Sequence, residues 1–349
     1  MGNAAELMKD GDRLIDPDMT PVAVDNGYAN QKICFWVADG EGGKRIEEIL
    51  LPSRARMGIT QVSAAGPGSD SGIYTLNGDP WTVGVDISAP ETMTGKQYAY
   101  SDVNAILVNH SLISAGFGGK DVRLSTGVPI SHFYSGSEHD AGFLSRIRES
   151  ISVPVVPRST QRAANIRKHD IFPESVGAAI DWLIGVDGSM RDDVELGVAI
   201  CDIGGNTTDI SVIHSGLTLD PTRSESVEQM GVMNIRSDLK RLIQKEHDVE
   251  RVRDAQLDAA LRTGYCSLFG RKVDVMALIS EARRITGRRI SSFVAEHIGD
   301  GSDLDCVIFV GGGAAVLPNL VDEYKNALVP HNPEFANARG FLKQMTYLG

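Results

Sequence analysis

The sequence predicts an α/β protein made of two related domains, and three observations predict it. The chain has 349 residues, more than one ordinary hydrophobic core organises. Short apolar runs of strand character alternate with stretches of helical periodicity. The pattern strand, Asp-x-Gly, turn, strand occurs twice, at Asp25 and again at Asp202, about half a chain length later. That spacing reads as a duplicated domain unit and not as a short-period repeat.

The elements follow in order. Val22–Val24 and Lys32–Val37 read as strands, joined by the turn sequence Asp25-Asn26-Gly27-Tyr28-Ala29-Asn30. Ile49–Leu51 is a further apolar run ending at Pro52, and residues 66–72, rich in Gly, Pro and Ser, form a loop. Within 74–85, Asn77-Gly78 between apolar runs signals a hairpin. Ser101 is placed to cap a helix with Asp102 in its first turn. Val103, Ile106, Leu107 and His110 share one face of it, and Gly116 stops it. Val122–Val128 is a strand, and the basic segment 158–168 reads as a solvated loop or helix face. A second amphipathic helix is expected to begin at Glu174, with Val176, Ala179, Ile180, Leu183 and Ile184 on its apolar face. Strands are expected at Leu196–Ile200, Ile210–Ile213 and Cys306–Val310. Helical periodicity marks Val232 to Ile243 and Val275 to Phe293.

Composition narrows the class. With 42% apolar and 23% charged residues the chain is ordinarily globular. No apolar run approaches the roughly 18 residues that span a bilayer, so no membrane partner is expected. Residues 1–20 mix charges throughout and read as a polar extension without a signal-peptide core. The formal net charge of −12 repels nucleic-acid phosphates, so tight direct DNA binding is not expected. Cys34, Cys201, Cys266 and Cys306 form no Cys-x-x-Cys pair and have no histidine at zinc spacing. They read as buried reduced thiols, the pattern of a cytoplasmic protein.

Four features carry chemistry. Asp25-Asn26-Gly27 lies in a tight hairpin, with Lys32 on the returning strand. Gly27 lets backbone N–H groups approach an anion, Lys32 can reach a phosphate, and Asp25 can hold a hydrated Mg²⁺. An ordinary hairpin with an exposed lysine is the plainer reading of that motif alone. Asp202-Ile203-Gly204-Gly205-Asn206-Thr207-Thr208-Asp209 repeats the logic with two glycines and several hydroxyl and amide side chains, which suits a polyphosphate; a glycine-rich turn is its plain reading. Val310-Gly311-Gly312-Gly313-Ala314 opens a strand into three glycines, where backbone can approach adenine or ribose, and a following helix offers free N–H groups. Glu174, at the head of its helix, can orient or deprotonate an attacking water, or simply favour the helix N-terminus.

The order of these four features resembles the superfamily of actins, heat-shock chaperones and sugar kinases. The resemblance runs from Val22 to Gly349. Within it, Tyr100-Ser101-Asp102-Val103-Asn104, His110-Ser111-Leu112, Gly127-Val128-Pro129 with Phe133-Tyr134, Pro173-Glu174-Ser175 and the Asp202 loop through Ser211 resemble the ParM/StbA plasmid-segregation actins. The sequence departs from that pattern at Tyr28-Ala29, where Ser or Thr is usual, and at Asn206, where Thr is common.

The resemblance implies an actin-like two-domain α/β fold. Each domain would hold a ribonuclease-H-like sheet flanked by helices, with a nucleotide cleft between the domains. Residues 21–178 and 325–349 would form the first domain and 179–324 the second. It implies ATP as cofactor, bound by Asn26, Gly27, Lys32, Gly204, Gly205, Asn206, Thr207 and Gly311, Gly312, Gly313. Asp25 and Asp202 would hold Mg²⁺ through water, and Glu174 would position the hydrolytic water, so that Asp25, Glu174 and Asp202 are the catalytic set. The implied function is an ATPase whose hydrolysis drives disassembly of a homopolymeric filament that segregates plasmid DNA. The filament would grip DNA through an adaptor at a centromere-like site. A small-molecule kinase of the sugar or acetate type is the alternative, and Asp209 is the candidate base for it. A chaperone of the superfamily is expected to carry a peptide-binding domain after the nucleotide domains.

Overall fold

The structure is a computed structural model describing residues 19–59, 72–84, 87, 90–91, 94–135 and 138–349. Most of the expected extension at 1–20 and of the loop at 66–72 lies outside the described residues. The chain divides into two compact units. The first runs to Glu195 and takes up Ile213–Leu219 and Glu334–Gly349, and the second comprises Leu196–Val212 and Asp220–Pro333. The sequence-drawn boundaries at 178/179 and 324/325 fall 17 residues before the first crossing and nine before the last.

In the first unit, β1 (Thr20–Asn26), β2 (Asn30–Ala38) and β3 (Lys44–Pro52) form an antiparallel meander. Beside it lie β4 (Ala55–Met57), β5 (Gly72–Leu76) and β6 (Asp79–Val83), the last two joined through Asn77 (φ +54°) and Gly78 (φ +90°). Both turn residues are left-handed, as a two-residue type I′ hairpin requires. Helix α1 (Asp102–Ser114) follows, then β7 (Asp121–Val128), α2 (Ala141–Ser152), β8 (Val156–Pro157), β9 (Asn165–Pro173) and α3 (Val176–Leu183). The five-stranded sheet has the order β9-β7-β1-β2-β3, with β1, β7 and β9 parallel. The smaller sheet is ordered β8-β5-β6-β4.

Strand alternation sorts the core. Val22 and Val24 point to one face of β1, against Val108 and Leu112 of α1 and Phe143 and Ile147 of α2. Ala23 and Cys34 point to the other face. Phe335, Ala338, Phe341 and Leu342 cover them there, most of these from the last helix, α8 (Ala336–Tyr347).

The sequence saw one apolar face on α1, but the helix is buried all round. Val103, Ile106 and Leu107 pack on the small sheet with Tyr74, Leu76 and Trp81, while Val108 and Leu112 pack on the large one. A helix sandwiched between two sheets has no wet face to make it amphipathic. Its cap is where the sequence placed it: Ser101 Oγ accepts from Asn104 N–H at 3.2 Å.

In the second unit, β10 (Val198–Ile203), β11 (Thr207–His214) and β12 (Thr218–Glu228) precede α4 (Met233–Glu246) and α5 (Asp254–Thr263). The hairpin β13 (Tyr265–Leu268) and β14 (Arg271–Asp274) leads into α6 (Met276–Ile298). Then come β15 (Cys306–Val310), the five-residue α7 (Gly312–Val316) and β16 (Ala327–Leu328). The sheet order β12-β11-β10-β15-β16 repeats the first unit's plan, with three consecutive strands on one side and parallel additions on the other. This is the duplication announced at Asp25 and Asp202. Three of the four thiols, Cys34, Cys201 and Cys266, are buried, and burial pushes Cys34 and Cys201 well above the ordinary thiol range.

The junction before α3 corrects the sequence reading. β9 stays paired through Pro173, and Glu174 N–H donates to Val128 O at 2.8 Å, so Glu174 still belongs to the extended ladder. Ser175 then turns the chain at φ +62°, rare for a residue with a Cβ, and α3 starts at Val176. No local side chain caps this helix. Asn337 Oδ1, from α8, accepts from Ser175 N–H at 2.9 Å and from Ala178 N–H at 3.2 Å. Asn337→Ala is expected to lower stability by about 0.5–2 kcal/mol, the usual cost of a lost cap, measured by urea unfolding.

Candidate functional site

In each unit the candidate residues stand at the carboxyl ends of neighbouring parallel strands, where open α/β sheets bind ligands. In the first unit these are Asp25 and Asn26 on β1, Gly127 and Val128 on β7, and Glu174 after β9. In the second they are Asp202 near the end of β10 and Gly311 after β15, with Asp202 in register with Val310.

Asp25 and Lys32 are directly opposed across the β1–β2 pair, and Lys32 Nζ lies 3.1 Å from Asp25 Oδ2. The pair is mostly buried, which keeps ammonium and carboxylate oriented instead of dispersed in water. Gly27 makes room for it, because a Cβ there would stand 2.7 Å from Lys32 Nζ. Asn26 has a task besides the one expected. Its Oδ1 accepts from Gly127 N–H at 3.2 Å and its Nδ2 donates to Asn104 Oδ1 at 3.1 Å. With these two bonds the Asn26 amide holds the loop. Asn104 also donates to Ala99 O at 2.8 Å, which gives the Tyr-Ser-Asp-Val-Asn run a physical role: it anchors the first loop. Sequence reasoning quoted Asn104 but did not see this. Tyr28 stacks near Tyr98, ring centroids 4.8 Å apart, and its hydroxyl meets Gly95. The side chain that replaces a small hydroxyl residue is therefore a packing group.

Glu174 is brought to the same end of the sheet. A Cβ on Gly127 would lie 3.1 Å from Glu174 Cγ and 2.8 Å from the Phe341 ring. Gly127 thus carries Glu174 on its surface while its N–H holds Asn26, linking three sequence-distant motifs of one unit.

The Asp202 loop is pinned by its carbonyls. Gly204 O, Gly205 O and Asn206 O accept from Val232, Met233 and Met230 N–H at 3.1, 2.9 and 3.0 Å. Gly231 must be a glycine for that approach, since a Cβ would sit 2.3 Å from Gly205 O. Thr208 Oγ1 donates to Met230 O and so braces the loop from within the sheet. Asn206 is 93% buried, and its Nδ2 has no partner. A buried orphan donor on a loop whose carbonyls face the other way fits an anionic ligand.

The triple glycine is more specialised than expected. Gly311, at φ +78°, leaves space for Asp202, whose Oδ1 would be 2.3 Å from a Cβ; Gly313 does the same for Ile203, 2.2 Å from its Cγ2. Free N–H groups at a helix start were expected here. Gly311 N–H instead donates to Pro333 O at 2.9 Å, and α7 is a single short turn. Beyond it, the segment Leu317–Glu323 and the α6 face bearing Arg283, Arg284 and Arg288 enclose a groove of about 420 Å³. The sequence reading passed over this arginine face, although its spacing of four and one along α6 was a visible signal.

For a divalent ion, the donor set was tested directly. Among the described residues no three Asp, Glu, His or Cys side chains converge. Mg²⁺ keeps several waters and takes one or two carboxylates plus phosphate oxygens, so it needs no such cluster. Asp209, the candidate kinase base, is 1% exposed and accepts from Ser226 Oγ.

Comparison with known proteins places the fold. Residues 20–184 match the family model of plasmid segregation protein ParM, N-terminal. Residues 200–323 match that of the archaeal actin homologue MreB-like, C-terminal. No curated protein sequence matches the chain. Among solved structures, an archaeal actin homologue has a TM-score of 0.74 at 21% identity, over 94% of this chain and 99% of its own. The same homologue in complex with ADP gives 0.71 at 21%, over 93% and 98%. A 15-stranded ParM filament from Clostridium botulinum gives 0.72 at 18%, over 93% and 98%. Fold and matched segments together define an actin-like two-domain protein. Within that superfamily the N-terminal part is similar to ParM and the C-terminal part to the archaeal MreB-like actin homologue.

Proposed function

We propose that the chain is an Mg²⁺-dependent ATPase whose nucleotide state controls a homopolymeric filament. The observation that carries this reading is the paired design: each unit sets one buried carboxylate, Asp25 or Asp202, beside a glycine loop at the carboxyl ends of parallel strands. Two solved likenesses, one with ADP and one within a filament, support it.

In this reading each loop is built to meet nucleotide phosphates. Lys32 and the amides of Gly27, Gly204, Gly205 and Asn206 hold phosphate oxygens, and Thr207 lines the loop. Gly311, Gly312 and Gly313 would border the adenosine, and Arg283, Arg284 and Arg288 of the neighbouring groove could stack on its base. Bound Mg²⁺ supplies charge neutralisation for phosphoryl transfer. Asp25 and Asp202 orient its waters, and Glu174 orients the attacking water. Asp209, the base that the kinase alternative would need, is buried and accepts from Ser226 Oγ, which favours the ATPase reading. The finer role, segregating plasmid DNA through an adaptor on a centromere-like site, agrees with the net charge of −12.

Sedimentation and negative-stain microscopy of the purified protein test the proposal. Filaments are expected with Mg-ATP and their loss with time as ADP accumulates. Hydrolysis should stop in excess chelator. A protein that hydrolyses ATP fully without a divalent cation, or that never pellets, contradicts it.

A further inference from the structure

Phe269 is the most exposed large apolar side chain among the described residues, at 85% of its full surface. It stands at the tip of the β13–β14 hairpin, where Leu268 pairs with Arg271 and only Phe269 and Gly270 form the turn. Both turn residues are left-handed, φ +50° and +76°. Asn or Gly suits the first position of such a turn, and a phenylalanine there carries strain without contributing to its own core. Tyr265 and Met276, at the base of the hairpin, are also exposed, and Lys272 lies 4.1 Å over the Tyr265 ring. The tip is thus an aromatic knob with Arg271 and Lys272 directly behind it.

The first unit carries a complementary hollow. Asp39, Gly42, Gly43, Lys44, Val186 and Asp187 line a cavity of about 650 Å³. Lys44 is folded onto aromatic faces, 4.3 Å from the Trp36 ring and 4.7 Å from that of Tyr347. It keeps its charge there, and the carboxylates of Asp39 and Asp187 outnumber it on the lining. Val186 is exposed, held by Tyr347 Oη donating to its carbonyl. The hollow therefore offers an apolar wall with acidic edges, opposite in sign to the knob.

We propose that the Phe269 hairpin of one copy inserts into the Asp39–Lys44–Val186 hollow of a second copy of this chain. Knob and hollow are different surfaces and every copy offers both, so a contact made in one direction only passes from copy to copy and builds open chains, whereas one returned by the second copy would close a dimer. The proposal rests on the self-assembly reading above and names one of its contacts.

The test uses the full chain with Mg-ATP. Phe269→Ser is expected to raise the critical concentration for pelleting about tenfold or more, the effect of removing a central aromatic anchor. Single-turnover ATP hydrolysis below that concentration should stay at the parent's rate. In a second experiment Phe269→Cys and Val186→Cys are prepared separately and mixed under mild oxidation. A disulfide-linked dimer should appear in the mixture with Mg-ATP and in neither variant alone. If the parent pellets, Phe269→Ser pellets equally and the mixed dimer is absent, the knob serves another partner and the proposal is overturned. If the parent itself never pellets while binding ATP, the self-assembly reading fails and takes this contact with it.

Discussion

Asp202→Ala is expected to weaken Mg²⁺-dependent turnover by about 10–100-fold, the usual effect of losing a group that orients metal-bound water. The carboxylate is 7% exposed and is closely bounded by Gly311 and Ile203, so nothing nearby can replace it. Asp202→Asn keeps the shape and removes the charge, which separates a metal role from a packing role. The measurement is ATP hydrolysis titrated with Mg²⁺, alongside thermal melting. The variant should need more Mg²⁺ for half-maximal rate while melting near the parent. On the proposed segregation role, a plasmid whose stability depends on this protein should be lost from its host. Normal turnover with normal retention would remove Asp202 from the site.

Glu174→Gln is expected to separate assembly from hydrolysis. Glu174 makes the last ladder bond of β9, to Val128 O, next to Gly127 and at the same strand ends as Asp25. A water-positioning or base role is worth about 10²–10⁴ in rate. Phosphate release should therefore slow by that factor while nucleotide binding persists, and filaments formed with ATP should fail to come apart. Light scattering and phosphate release, followed together after ATP addition, read both effects. A variant that neither binds ATP nor assembles would make Glu174 structural. One that assembles and turns over like the parent would assign the water to another group.

The parts of this molecule that were legible in its sequence are those whose causes are local. The β5–β6 hairpin announced itself through Asn77-Gly78, the α1 cap through Ser101, and β15 through an unbroken apolar run into glycine. Strand β9 was missed because it is an edge strand. Arg167 and Lys168 meet solvent and the carboxylates of Asp121 and Asp170, so the segment reads as a polar loop. The start of α3 was misplaced because its cap, Asn337, lies far along the chain and leaves no trace near Ser175.

The candidate site shows the same division. Asp25, Lys32, Asp202 and the glycines were found because each sits in a strand-turn pattern. Which of them must be glycine for packing, at Gly27, Gly311 and Gly313, is a matter of contacts that only folding supplies. Asn26 was singled out as a ligand residue by position, and its geometry adds the role of a strut. The dependence of the first loop on Asn104 joins two segments that no local rule connects.

The return of α8 to the first unit has a consequence during synthesis. Strands β1, β2 and β7 are complete early, yet the cover over Ala23 and Cys34 comes from Phe335 to Leu342, made only after the whole second unit. Ribosomes add roughly 5–20 residues per second, so that sheet face waits on the order of ten seconds for its lid. Over that interval the second unit can finish folding on its own strands. The first holds an open apolar face until Gly340 seats against Gly177, so close that a Cβ would lie 1.7 Å from the Gly177 carbonyl oxygen. The nascent chain is thus expected to need shelter on one side of one sheet, and to need it until its last helix emerges.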